Sequence, residues 1–381
     1  MTNSIVLGDC IDVLSQLESD YVDLIYLDPP FFTQTTQKLD KYSFDDKWID
    51  IIEFKEYIKD RLFHCKRVIK DTGSIFLHCD KIASHYLRIA LDEVFGFDNF
   101  QSEIIWQYKR WSNSKKGLLN NHQVIFFYSK TKNFKFNQKY EPYSSTTNLD
   151  QIFQERSRDI NGKTGYKKDI NGGNILMKGK QGVPLSDVWS IPFLNPKAKE
   201  RVGYPTQKPI LLLEKIIELV TDKEDLVLDP FCGSGTTLVA AKLLGRNYIG
   251  IDKSKDAIEL SNKRLECPIK TESNLLKKGR ESYNNQSEDI LKILESKNIS
   301  PVQRNKGIDG FLKINGEIKP IPVRIQRSFE TVDIAKNALI QATKKENYQK
   351  IILYIIDPDD NGEILFESNL NNSKLEVLSL V

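Results

Sequence analysis

The chain has 381 residues, 40% hydrophobic and 28% charged, so it is long enough for two or three domains, and its composition excludes a disordered or collagen-like protein. Lys and Arg number 55 against 52 Asp and Glu, and the resulting net charge of +3 is too small to identify a partner. Because no apolar run reaches the roughly 18 to 20 residues that cross a bilayer, and no signal peptide is evident, we expect a cytoplasmic protein that does not bind membranes.

The first part of the chain alternates strands with helices. The apolar run from Val22 to Leu27 predicts a buried strand, which ends at Asp28-Pro29-Pro30 because two prolines cannot continue a ladder. Residues from about 33 to 48 are polar without a clear period, which predicts a mobile loop. The pattern then predicts a helix near 49–69, a strand at 74–78, a helix around 81–95, and strands at 103–108 and 123–128.

The periodicity fades between about 131 and 200, where turn signals such as Asn161-Gly162 replace regular spacing. We interpret this segment as an insertion rather than as more sheet. Alternation resumes with a helix near 209–220, a strand at 226–229, a helix near 236–244, a strand at 248–252 and a helix at 255–265. Such βαβ alternation predicts an α/β protein with a mostly parallel sheet and helices on both faces.

A charged stretch rich in Asn and Ser follows and indicates a linker. Beyond it, strands at 307–312, 322–326 and 351–356 and a helix near 333–344 predict a second, small α/β unit. The predicted organisation is therefore a domain at 1–268, a linker at 269–287 and an accessory α/β domain at 288–381.

A glycine turn follows the predicted strand at 226–229. Gly233 and Gly235 would let the backbone approach a ligand closely, and Asp252 ends the next strand about 20 residues on, where it can accept both hydroxyls of a ribose. A Walker loop is excluded because Gly235 is followed by Thr236-Thr237 without a lysine. A nucleoside without a pyrophosphate fits, and S-adenosylmethionine is such a ligand. Taken alone, the pattern also fits a structural strand-to-helix turn.

The second chemical motif is Asp28-Pro29-Pro30-Phe31. The exocyclic amine of adenine is a poor nucleophile because its lone pair is delocalised, and an acceptor pair, the Asp28 carboxylate and the Pro29 carbonyl, could bind its two hydrogens and localise that pair. Phe31 could stack on a base swung out of the duplex. Taken alone, the motif is more often a plain turn that ends a strand.

Together these residues resemble a family, the amino-group DNA methyltransferases of the adenine-N6 and cytosine-N4 type. The resemblance covers about residues 5 to 265, and the catalytic motif precedes the cofactor motif, as in the family's β class. It implies a Rossmann-like methyltransferase sheet with circularly permuted motif order, in a restriction-modification or orphan system. The motifs that carry it are Gly8-Asp9-Cys10, Asp28 to Phe31, Tyr204-Pro-Thr206-Gln-Lys208-Pro209, Phe231 to Gly235 and Tyr248 to Asp252.

The resemblance also implies roles for individual residues. Asp9 would approach the adenine of the cofactor, and Asp28, rather than the serine of the cytosine version, favours adenine as the target. Phe31 departs from the tyrosine that is more frequent in the family, so a hydroxyl contact is lost. The catalytic candidates are Asp28, Pro29, Pro30 and Phe31. The cofactor candidates are Asp9, Cys10, Asp28, Thr206, Lys208, Phe231, Gly233, Ser234, Gly235, Thr236, Thr237 and Asp252.

The placement of charge indicates double-stranded DNA as the partner. No acidic residue interrupts the basic residues between Lys109 and Lys139, and such a segment can bind phosphates, although it also fits a solvated basic face. A homodimer and a cognate restriction endonuclease stay open as further partners. The DNA-binding candidates are Lys109, Arg110, Lys115, Lys116, Arg156, Arg158, Lys167 and Lys168.

In the C-terminal unit, Asp309 followed by a strand and a helix resembles the core of PD-(D/E)xK nucleases. The matching strand lacks the second acid and has Gln326 where lysine would be expected. We therefore expect a non-catalytic, degenerate nuclease-like unit that binds DNA or a second subunit.

The predicted activity is site-specific transfer of a methyl group to the N6 amino group of a flipped adenine. The alternatives are a cytosine-N4 methyltransferase and a catalytically silent DNA-binding regulator. A carbon-5 mechanism is excluded because no Pro-Cys dipeptide occurs. Neither the histidines nor the cysteines show metal-ligand spacing, so no metal is predicted; they are His64, His78, His85, His122, Cys10, Cys65, Cys79, Cys232 and Cys267.

Overall fold

The computed structural model divides the chain into two compact units, residues 1–272 and 273–381. No helix in the described ranges is long and apolar enough to cross a membrane. The ranges that the structure describes are 2–39, 42–108, 116–141, 154–175, 182–272, 286–302, 305–312, 320–346, 348–355, 367–370 and 373–380.

The first unit contains the strands β1 Ser4–Leu7, β2 Val22–Leu27, β3 Thr36–Leu39, β4 Tyr42–Asp45, β5 Ile69–Cys79, β6 Phe100–Gln107, β7 His122–Ser129, β8 Tyr140–Glu141, β9 Arg156–Arg158, β10 Thr164–Tyr166, β11 Val183–Pro184, β12 Val188–Ser190, β13 Leu226–Asp229 and β14 Asn247–Asp252. Its helices are α1 Cys10–Gln16, α2 Ile51–Val68, α3 Ser84–Phe95, α4 Ile210–Val220, α5 Thr236–Leu243 and α6 Lys255–Glu266.

Eight of these strands form one sheet in the order β1-β14-β13-β2-β5-β7-β6-β12. The paired strands run parallel except that β7 is antiparallel to β5 and β6. Two buried apolar clusters cover the sheet, which explains why all six residues of β2 are buried and apolar alternation is absent there. The predicted α/β, Rossmann-like fold with a mostly parallel sheet is confirmed.

The sheet order brings the two motif-bearing strands side by side. β2 pairs with β13 through Leu24 and Val227, and β13 pairs with β14 through Asp229 and Gly250. Because all three strands are parallel, their carboxyl ends meet at one edge, where α/β sheets bind ligands.

Two predictions for the first unit were wrong. The segment after β2 contains the antiparallel hairpin of β3 and β4 rather than an irregular loop. Backbone hydrogen bonds close its open end, because the N–H of Gln34 donates to the carbonyl of Asp46 and the N–H of Asp46 donates to the carbonyl of Thr35. The insertion is also partly sheet. β12 pairs parallel with β6 and buries Trp189, so a three-residue strand extends the main sheet although it is too short to show a period.

The second unit has a six-stranded sheet in the order β15-β16-β17-β18-β20-β19, and β17, β18 and β20 are parallel. Its own apolar clusters pack around this sheet. The elements are α7 Glu288–Ser296, β15 Ser300–Pro301, β16 Gly310–Leu312, β17 Ile321–Ile325, α8 Val332–Thr343, β18 Lys350–Ile355, β19 Glu367–Leu370 and β20 Ser373–Ser379.

Candidate active site

A pocket of about 430 Å³ lies at the carboxyl ends of β2, β13 and β14. Its size is that of a site for a small molecule. Most candidate residues from the sequence line it, namely Cys10, Asp28, Pro29, Pro30, Phe31, Thr206, Lys208, Phe231, Gly233, Ser234, Thr236, Thr237 and Asp252.

Asp28 stands in the pocket wall directly after β2. Its Oδ2 forms an ion pair with Nζ of the buried Lys208, whereas its buried Oδ1 has no hydrogen-bond partner among the described residues. Burial raises the pKa of Asp28, and the ammonium of Lys208 opposes that rise. A buried acceptor without a donor is costly, so it marks a place for a ligand's N–H group.

Behind Asp28 lies a buried imidazole. His78 Nδ1 is 2.7 Å from the Tyr26 hydroxyl and 3.8 Å from Asp28 Oδ1, and Nε2 is 2.9 Å from Oε1 of Gln123. Burial lowers the pKa of His78 well below its usual value, and the charge of Lys208 lowers it further. The ring is therefore neutral, with Nε2–H donating to Gln123 and Nδ1 accepting from Tyr26.

The glycine turn links β13 to α5. Gly235 has φ +72°, and a Cβ there would lie 2.6 Å from Ser261 Oγ, so a side chain is excluded. Arg264 holds the turn from below, because its Nη1 donates to the carbonyl of Ser234 at 2.6 Å and to Thr236 Oγ1 at 3.0 Å. The structure thus fixes a backbone concavity beside the pocket.

Asp252 ends β14 and faces the same pocket. Its Oδ2 accepts from the backbone N–H of Gly233 at 2.8 Å, and its Oδ1 accepts from that of Ser254 at 2.8 Å. Burial raises the pKa of Asp252, and these backbone donors oppose the shift. A carboxylate has about four acceptor sites, so Asp252 keeps capacity to accept from a ligand hydroxyl.

Two cofactor candidates do not line the pocket, Asp9 and Gly235. Asp9 caps α1 by accepting from the N–H of Ile11 at 2.8 Å, and its Oδ2 lies 2.5 Å from Lys253 Nζ and 3.4 Å from Arg61 Nη2. Its carboxylate is thus engaged by the chain, and Lys253 is the residue that lines the pocket there.

Several residues that line the pocket have no role predicted from the sequence, including Tyr42, Asp46, Tyr204 and Asp229. The rings of Tyr42 and Tyr204 are 5.3 Å apart. Asp229 is 2% exposed, and burial raises its pKa to about 7 although Thr237 and the N–H of Phe231 bond to it. Tyr204 stands inside a recognised motif and Asp229 ends the strand just before another, so both had a signal in the sequence. The hairpin residues Tyr42 and Asp46 had none.

The DNA-binding candidates that the structure describes do not line the pocket. Lys109, Arg110 and Lys115 lie outside the described residues. The remaining candidates are exposed and do not line the pocket; they are Lys116, Arg156, Arg158, Lys167 and Lys168. Among them, Lys167 forms an ion pair with Glu155 at 3.2 Å.

In the second unit, Asp309 is 1% exposed and fully engaged. Arg327 binds it with two bonds of 2.6 and 2.7 Å, and the N–H of Ile325 donates to it at 2.7 Å. Within the described ranges, no group of three or more His, Cys, Asp or Glu side chains could hold a metal ion. An arginine thus neutralises the acid that a nuclease would use for a metal.

The sequence was compared with known proteins. Residues 22–263 match the model of the N6/N4 DNA methylase family. The type II methyltransferase M.HinfI of Haemophilus influenzae is 32% identical over 276 residues, covering 69% of this chain and 68% of that protein. M.HpaI of Haemophilus parainfluenzae is 28% identical over 293 residues, covering 77% and 83%, and M2.MboI of Moraxella bovis is 30% identical over 270 residues, covering 68% and 85%.

Proposed function

The chain belongs to the N6/N4 DNA methylase family, and we propose that it transfers a methyl group from S-adenosylmethionine to the N6 amino group of an adenine flipped out of duplex DNA. The observation that carries this proposal is the buried Oδ1 of Asp28, which accepts no hydrogen bond from any residue that the structure describes and stands in the wall of a pocket that also contains the glycine turn. An aspartate rather than a serine before Pro29-Pro30 favours adenine over cytosine.

The methyl donor is S-adenosylmethionine, and the residues present fit it. The pocket joins a glycine backbone, which can lie close to a ligand, to the Asp252 carboxylate, whose remaining lone pairs suit ribose hydroxyls. We propose that Phe231, Gly233 and Ser234, which line the pocket, hold its methionine part and that Cys10 borders its adenine. When bound, it supplies an electrophilic methyl group on a sulfonium.

The chain's own residues would then act on the target amine. Asp28 Oδ1 and the carbonyl of Pro29 accept its two hydrogens, which localises the lone pair on nitrogen. The methylated amine must lose one proton, and Oδ1 of Asp28 is the basic atom that can take it. The ammonium of Lys208 favours the ionised form of Asp28, because it opposes the rise in pKa that burial causes.

The rings around Asp28 would hold the flipped base. Phe31 lines the pocket, and Lys208 Nζ lies 5.4 Å from the centroid of its ring. We propose that this ring stacks on the flipped base. The ring of His78 packs against that of Phe31, and because His78 is neutral it adds no charge there.

We propose that the insertion recognises the DNA sequence. The hairpin of β9 and β10 continues through a bridge from Lys168 to Asn174, and every side chain from 156 to 174 is exposed. A small sheet without a buried face gains little from its own packing, so its basic side chains are better explained by contact with phosphates. A homodimer, a partner endonuclease and an accessory role for the second unit are further proposals.

The test is the identity of the product. Unmethylated plasmid is incubated with the protein and labelled S-adenosylmethionine, digested to nucleosides and analysed by mass spectrometry, with Asp28→Ala as the inactive control. We expect N6-methyldeoxyadenosine. N4-methyldeoxycytidine would establish the cytosine alternative, and cofactor binding with no labelled nucleoside on any DNA would indicate a silent regulator.

A further inference from the structure

The backbone of Phe31 is held on both sides by residues that follow it in the chain. Its N–H donates to Asp46 Oδ1 at 3.0 Å, and its carbonyl accepts from Trp48 Nε1 at 3.2 Å. Because Pro29 and Pro30 have no N–H groups, Phe31 supplies the first backbone donor after Asp28. Asp46 therefore accepts a hydrogen bond from the first backbone N–H group of the turn, that of Phe31.

Asp46 is itself fixed by the hairpin. Its side chain is 2% exposed, and its Oδ2 accepts from Thr33 Oγ1 at 3.0 Å and from Gln37 Nε2 at 3.2 Å. Its backbone N–H donates to the carbonyl of Thr35 at 3.0 Å. Asp46 borders the pocket, yet both carboxylate oxygens already serve the chain, so its geometry suits positioning rather than contact with substrate.

Trp48 connects the same segment to the domain core. Its ring centroid is 4.9 Å from that of Phe54 and 4.8 Å from that of Tyr57, both on α2. Its backbone N–H donates to Oε1 of Gln34 at 3.0 Å. The carbonyl of Phe31 is therefore bonded to a side chain that is packed against a long helix.

We propose that Asp46 and Trp48 are positioning residues, which hold the turn from Asp28 to Phe31 in the conformation that places the Asp28 carboxylate and the Pro29 carbonyl for the target amine. This inference rests on the proposed function. The hairpin of β3 and β4 is, on this view, a structural part of the active site rather than a loop beside it.

Steady-state kinetics on the full-length protein tests the proposal. Asp46→Ala should lower kcat about 100-fold, the loss expected when reacting groups shift by about an ångström, while the Kd for S-adenosylmethionine stays within about threefold. Asp46→Asn keeps an acceptor for the N–H of Phe31 and should recover kcat to within about tenfold of wild type. Trp48→Phe removes the donor but keeps the ring packing, and should lower kcat about tenfold.

Asp50→Ala is the matched control. Asp50 caps α2 by accepting from the N–H groups of Ile52 and Glu53, and it has no bond to the turn. This variant should lower the melting temperature without changing kcat, which separates loss of stability from loss of positioning.

Each outcome decides the proposal. It is overturned if Asp46→Ala keeps kcat within about threefold, if it loses cofactor affinity and melting temperature together with kcat, or if Asp46→Asn keeps the wild-type melting temperature and is still as inactive as Asp46→Ala, since an acceptor for the N–H of Phe31 would then not restore activity. A wild-type protein that methylates no DNA would instead refute the proposed function. Methylation by the wild-type protein is therefore measured first, before any variant is compared.

Discussion

Lys208 and Asp28 are 180 residues apart in the chain, and the ammonium of Lys208 forms an ion pair with Oδ2 of Asp28 in the pocket wall. The pair leaves Oδ1 unbonded within the described part of the structure. One oxygen of the carboxylate is thus held by the chain, and on the function proposed above the other would accept from the target amine. The motif from Tyr204 to Pro209 would then act on the target amine through Asp28.

The first prediction concerns this pair. Lys208→Met should shift the acidic limb of the kcat/KM pH profile to higher pH, because burial then raises the pKa of Asp28 without opposition and the ionised form requires a higher pH. At neutral pH the rate should fall at least about tenfold and recover partly as pH rises. Lys208→Arg, which keeps the charge, should leave the limb nearer its original place; an unshifted limb in Lys208→Met would contradict the role.

The second prediction concerns the ribose site. Asp252→Ala should weaken S-adenosylmethionine binding by about 1 to 3 kcal/mol, because hydroxyls lose their acceptor and Gly233 loses a bond that shapes the turn. Isothermal titration calorimetry measures the change, and Asp252→Asn should be intermediate since it keeps one oxygen. Unchanged affinity would move the ribose elsewhere.

The third prediction concerns stability. Asp229 has a pKa of about 7 in the folded chain against 3.8 as its ordinary value, so the folded state binds the proton more tightly. The free energy of unfolding therefore falls as pH rises from about 4 to 7 and stays lowered above that. Asp229→Asn should raise it at pH 8 by up to about 4 kcal/mol and much less near pH 4. Urea denaturation without cofactor measures this, and an equal effect at both pH values would be inconsistent with the titration.

The fourth prediction concerns DNA. Replacing both Arg156 and Arg158 by Ala should weaken duplex binding and reduce the slope of log K against log salt by about two, one for each lost phosphate contact. Lys223→Ala, an exposed cation outside the insertion, is the control and should leave the slope unchanged. Fluorescence anisotropy over a salt series measures both. A double variant with the wild-type slope would place DNA away from the hairpin of β9 and β10.

The fifth prediction concerns the second unit. A chain ending after Glu272 should fold and bind S-adenosylmethionine as tightly as the full chain, because each unit has its own apolar clusters. It should bind DNA more weakly or lose a subunit contact, as anisotropy and light scattering can show. The full chain with magnesium should leave plasmid uncut, because Arg327 occupies the carboxylate of Asp309. Cleavage, or a truncation unchanged in every respect, would refute the accessory role.

Much of the first unit could be predicted from sequence because its signals are local. Asp28-Pro29-Pro30 ends a strand because prolines have no N–H for the ladder. Gly233 and Gly235 have positive φ angles, which glycine adopts without strain whatever the rest of the chain does. The fold class and the cofactor followed from these motifs and their order, and both are confirmed. The roles of the site residues remain predictions for the experiments above.

What only the tertiary structure decided depends on contacts between distant residues. Sequence motifs contain Asp28 and Lys208 but do not reveal their ion pair, because it depends on how β2 and the segment before α4 meet. The hairpin of β3 and β4 and the strand β12 are too short for a period, so pairing partners rather than spacing create them. Asp46 shows most clearly what the sequence does not reveal. It is a polar residue in a polar segment, yet it is buried, because its carboxylate accepts from the N–H of Phe31, the first N–H after two prolines.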